Sequence, residues 1–90
     1  MPRFIVQRTY SQDFYVIPNE NGARQLQAVT ARNAELGVTW LHSYVTRDRS
    51  RTYCVYEGPD AATIRAAAAA NGLPVDQVTE VRIVSPYFYY

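Results

Sequence analysis

This 90-residue chain has little of what metal and redox sites are built from: one cysteine, Cys54, and one histidine, His42. A single thiol excludes an intramolecular disulfide, so a reducing compartment is the default and a cytoplasmic location is expected. Neither a Cys-x-x-Cys nor a His-x-x-x-His spacing occurs, which excludes a self-contained zinc-type centre. A metal would have to draw on carboxylates, water or a second subunit. There is no lysine; all nine basic residues are arginine, a pattern that reads as codon bias, and the eight acids leave a net charge of +1. Near-neutrality provides no concentrated basic face for nucleic acid or an anionic membrane. The four glycines are isolated, so no phosphate-cradling loop is present. The opening Met-Pro-Arg-Phe-Ile-Val run is too short for a membrane span or a signal-peptide core. No nucleophile with an attendant base stands out.

What the sequence has is a regular alternation of local patterns. Residues 4–9 (Phe-Ile-Val-Gln-Arg-Thr) read as a strand. Residues 11–21, with Pro18 and two asparagines, read as a connecting loop. From about residue 21 to 36 the apolar period becomes helical through Ala23, Leu26, Val29 or Thr30, Asn33 and Leu36, and Gly37 follows as a stop. Residues 38–45 and 52–56 are dense in β-formers around the polar stretch Arg-Asp-Arg-Ser, which predicts a hairpin. Gly58-Pro59-Asp60 ends the second of these and starts a helix over 61–71, whose alanine run lets its backbone sit close to a sheet. Residues 77–84 form the last predicted strand, ended by Ser85-Pro86.

The order β, α, β-hairpin, α, β over residues 1–90 gives one α+β domain of ferredoxin-like βαββαβ type. Right-handed crossovers make a four-stranded antiparallel sheet with both helices on one face. The other face is bare. Strict alternation puts Trp40, His42 and Tyr44 on one side, and Tyr53, Val55 and Glu57 opposite Cys54 and Tyr56. Large side chains on both faces call for cover on both, and a sheet-face homodimer is the simplest cover. The aromatic tail, Pro86-Tyr-Phe-Tyr-Tyr90, is expected to form a short fifth strand on its own sheet edge or the partner's.

Within this frame His42 is the leading candidate for chemistry, as a metal ligand or proton carrier. A two-residue turn at Asp48-Arg49 would place Trp40 opposite Glu57, and Glu57 one diagonal step from His42. Cys54 reads as a small buried hydrophobe. Trp40, Tyr44, Tyr53 and Cys54 are the candidate pocket or interface residues. The strand order and aromatic strands are shared with RNA-recognition domains, but Arg51-Thr-Tyr-Cys-Val-Tyr56 lacks the glycines of such a strand and the chain lacks the basic surplus.

The segments Trp40-Leu-His-Ser-Tyr-Val45, Thr52-Tyr-Cys-Val-Tyr-Glu-Gly-Pro59, Asn71-Gly-Leu-Pro-Val-Asp76 and Pro86-Tyr-Phe-Tyr89 carry a resemblance, as do Met1-Pro-Arg-Phe-Ile-Val6 and Arg32-Asn-Ala-Glu-Leu-Gly-Val-Thr-Trp40. The chain resembles a small bacterial family, common in actinobacteria, of ferredoxin-like domains labelled nickel-binding. The resemblance implies a dimer that binds Ni²⁺ at its surface, for sequestration or detoxification. It names no ligands; His42 and Glu57 are chosen for their chemistry. The rival reading is a cofactor-free enzyme with an aromatic pocket of Trp40, Tyr44 and Tyr53 between paired sheets and His42 as base. A plain interaction module without ligand is the third.

Overall fold

The structure, a computed structural model, describes residues 1–11, 14 and 19–89. Most of the expected 11–21 loop therefore lies outside the described residues. Six elements follow in order: β1 (Arg3–Thr9), α1 (Glu20–Glu35), β2 (Thr39–Val45), β3 (Arg51–Glu57), α2 (Ala61–Ala70) and β4 (Gln77–Val81). The strands make one antiparallel sheet in the order β2-β3-β1-β4, the ferredoxin-like arrangement. No described helix is long and apolar enough to cross a membrane.

Both helices begin and end where side-chain chemistry dictates. Asn19 caps α1 by accepting from the Gly22 amide, and Asp60 caps α2 by accepting from the Thr63 amide at 2.7 Å. At their C-termini Gly37 (φ 72°) and Gly72 (φ 65°) take the left-handed conformation. The Val38 and Leu73 amides then reach back to the Asn33 and Ala68 carbonyls, so both ends close as Schellman motifs. Helix α1 turns Gly22, Leu26, Val29 and Asn33 inward, while Leu36 stays 40% exposed. Helix α2 buries Ile64, Ala67 and Ala68.

The core lies between the helices and one face of the sheet. Phe4, Val6, Val38, Cys54, Tyr56, Ile64 and Ala67 pack there, with Trp40, Val75 and Val78 partly buried against them. On β1 the alternation is strict: Phe4, Val6 and Arg8 point inward, while Ile5 and Gln7 face the bare side.

Two expectations are corrected at the end of the chain. Strand β4 stops at Val81, which pairs with Arg3, rather than running to residue 84. Beyond Arg3 its partner offers only Pro2, which has no amide hydrogen to continue the ladder. Among the described residues the tail then forms no fifth strand on its own sheet. It folds on itself through a single bridge, Val84–Tyr89, with the Ser85 amide donating to the Phe88 carbonyl at 2.7 Å. Tyr87, Phe88 and Tyr89 remain exposed.

A polar strip runs through this otherwise apolar layer. Arg8 and Thr52, paired across the strands, are each 1% exposed, and Thr52 Oγ1 lies 3.0 Å from Tyr10 Oη and accepts from Cys54 Sγ at 3.5 Å. Burial pushes the Tyr56 phenol up to about 12, and raises that of Tyr10 as well. A raised phenol favours the folded state below its unfolded value near 10, and that contribution disappears as pH climbs through the folded value. Spectrophotometric titration is expected to show a late phenolate component near pH 12 that vanishes in Tyr56→Phe. A wild type whose tyrosines all titrate near 10 while folded would contradict it.

Candidate metal-binding face

The uncovered face of the sheet is built by register. Cross-strand partners share a side, so Arg3, Ile5 and Gln7 of β1 stand beside Glu57, Val55 and Tyr53 of β3. From β2, His42 faces Val55 and Tyr44 faces Tyr53. The His42 and Tyr44 rings meet edge-on at 5.1 Å, in a T-shaped geometry that the ring quadrupoles favour. His42 is exposed and Tyr44 is 64% exposed, whereas Val55, between Ile5 and His42 in the ladder, is buried.

From His42 outward the register agrees with a turn centred on Asp48-Arg49. The loop is held by Asp48, whose Oδ1 accepts from Thr46 Oγ1 (2.8 Å), Ser50 Oγ (2.8 Å) and the Ser50 amide (3.0 Å). Those bonds, led by the one from the Ser50 amide, hold the Asp48 carboxyl down at about 2. Arg49 takes the left-handed position at φ 62°.

Before His42 the ladder slips. A β-bulge between Trp40 and His42 leaves Leu41 unpaired and sets Trp40 opposite Tyr56, not Glu57. Trp40 therefore does not share a face with His42 and Tyr44, as strict alternation predicts. Its indole packs on the helix side, where Nε1 donates to Ser43 Oγ at 2.9 Å. The physical reason is the indole itself, a large apolar ring with a single donor, which gains more in a half-buried layer with one partner than on a bare face. Cys54 also lies on the helix side and is buried. The six candidate residues thus divide: His42, Tyr44, Tyr53 and Glu57 are on the bare face, and Trp40 and Cys54 are in the core.

Glu57 still lies one diagonal step from His42, because His42 pairs with Val55 and Glu57 follows two residues on. Its carboxylate is engaged by Arg3, Nη2 to Oε1 at 2.6 Å, and that hydrogen bond holds it below the usual carboxylate range. A cation competing for Glu57 must displace or share that arginine. Among the described residues no three His, Cys, Asp or Glu side chains converge as a ready coordination shell. One chain can offer an imidazole nitrogen and one tethered carboxylate, so a full shell needs water or a second copy. A groove of about 630 Å³ at the end of the sheet is lined by Met1, Pro2, Arg3, Glu80 and residues 81–83, away from the aromatic residues.

Among curated proteins none matches this chain. A solved structure does: the crystal structure of SCO4226 from Streptomyces coelicolor A3(2) superposes with a TM-score of 0.71 over 92% of this chain and 99% of that one, at 19% identity. At that identity the likeness establishes the fold. The sequence profile of a family described as "Nickel responsive protein SCO4226-like" matches residues 4–81, which takes in all six elements of the fold apart from the first residue of β1. The chain belongs to the nickel-responsive SCO4226-like family.

Proposed function

We propose that this protein is a non-catalytic carrier of divalent metal, with nickel as its cargo, and that it works as a homodimer joined through the bare sheet faces to sequester or detoxify the ion. The observation that carries the reading is the position of His42: the one imidazole of a nickel-responsive family member stands exposed on the uncovered face. Imidazole suits nickel, and a surface placement leaves room for ligands from a second chain. Glu57 supplies the nearest carboxylate on that face. Since the metal requires neutral imidazole, acid weakens binding by proton competition.

The reading is tested by calorimetric titration of Ni²⁺ into the wild type and into His42→Ala. Losing a coordinating imidazole is expected to lower affinity by at least about tenfold, since even removal of a supporting group costs that much. Equal affinity in the two proteins would remove His42 from the site. Within one chain the substitution falls on an exposed strand position and removes only the ring contact with Tyr44, worth about 1 kcal/mol.

A further inference from the structure

Among the described residues, Arg8 is the one buried charge, and neither the fold nor the metal reading uses it. Arginine is almost never fully buried unless it is paired. Here it is 1% exposed, and its Nε and Nη1 atoms are sealed from solvent without a hydrogen-bond partner. Only Nη2 is engaged, donating to Tyr56 Oη at 3.2 Å, with Cζ 5.8 Å from the centroid of the same ring. The ion pairs among the described residues are Arg3–Glu57 and Arg24–Glu20, so no carboxylate among them neutralises Arg8.

A guanidinium cannot escape the penalty by losing its proton. Leaving it buried and uncompensated costs several kcal/mol. The phenols cannot supply the missing charge, because burial keeps Tyr56 and Tyr10 protonated well above neutral pH. They remain neutral hydroxyls around the cation, with Thr52 Oγ1 completing the polar lining.

We propose that Arg8, with Tyr56 and Thr52, forms a binding site for a small monocarboxylate anion on the helix-facing side of the sheet. Among the described residues the site lacks a negative charge, which a carboxylate supplies while accepting along the guanidinium edge that carries one of the unpartnered groups, Nε–H or Nη1–H. A dianion would exchange an excess positive charge for an excess negative one. Burial limits the ligand to a very small body, so formate and acetate are the probes. The site lies on the opposite face from His42 and stands apart from the nickel reading.

The test compares unfolding of the full chain in sodium formate, acetate, chloride and sulfate at equal ionic strength. A ligand that binds only the folded state raises the midpoint progressively with its concentration. Formate is expected to place the midpoint about 4 °C or more above that in chloride, whereas sulfate, a kosmotrope, raises the wild type and Arg8→Met alike. Arg8→Met is expected to lose the formate response. As a readout that does not depend on the folding of that variant, the wild-type Arg8 Nε–H resonance is followed in parallel, and it is expected to shift saturably with formate. A formate midpoint no higher than that in chloride, an undiminished response in folded Arg8→Met, or an Nε–H signal indifferent to formate would each overturn the proposal.

Discussion

Phe4→Ala is expected to lower the unfolding free energy by about 3–5 kcal/mol. Phe4 is 2% exposed and sits at the centre of the layer between sheet and helices, in a cluster with Val6, Tyr56 and Ile64. Its loss removes the apolar area of a whole ring and leaves a cavity. The surrounding β1–β3 and β1–β4 ladders hold the backbone on both sides, so the walls cannot collapse inward. Domains of this kind are stable by only about 5–15 kcal/mol, so the change consumes about a fifth or more of the total. In a thermal scan the midpoint should fall by roughly 12 °C or more. Val84→Ala, at a 73% exposed position, should change it by about 0.5 kcal/mol at most. A Phe4 variant as stable as the Val84 variant would show that the core lies elsewhere.

The second large effect concerns the bare face. If two copies meet there, Tyr44→Asp should weaken their association by about 2 kcal/mol or more, on the order of 30-fold in dissociation constant. Tyr44 is 64% exposed within one chain and, on the edge strand β2, lies beside His42 and Tyr53 on the surface to be covered. Tyrosine is a frequent interface anchor, and aspartate in its place adds a desolvated charge. Within a single chain the substitution removes only a cross-strand pair with Tyr53, worth up to about 1 kcal/mol. Sedimentation equilibrium therefore separates the two effects: a folded variant with a much weaker self-association is expected. A variant that associates as tightly as the wild type would move the interface off this face.

Much of the architecture was legible because local signals agreed with one another. The alanine run, the Gly37 and Gly72 stops and the Asp60 cap bounded the helices within a residue or two. Alternation in β3 separated its two faces correctly, since that strand runs without interruption beside β1. Alternation failed in β2, where a single unpaired Leu41 reverses the parity of everything before it. Nothing in Thr-Trp-Leu-His marks a bulge; only the competition between a buried and an exposed indole decides it.

The candidate site was legible by residue type and less so by company. His42 and Glu57 keep their diagonal relation because the register between His42 and the turn is set by Asp48 and its loop bonds, downstream of the bulge. The Arg3 tether on Glu57 is a long-range consequence of β1 pairing with β3, which no short spacing reveals. Arg8 was missed, although a signal was present: it shares the parity of Phe4 and Val6, which commits its guanidinium to the apolar side. The tail misled because aromatic residues suggest strand pairing, whereas Ser85 and Pro86 turn it back on itself.

The central claim is that the bare sheet face holds nickel through His42. It is tested most directly by diffraction at the nickel absorption edge from crystals grown with Ni²⁺. The account predicts an anomalous peak at bonding distance from a His42 ring nitrogen, with ligands completed by water or a second copy. A nickel peak that is bound only elsewhere, with His42 free of metal, would contradict it.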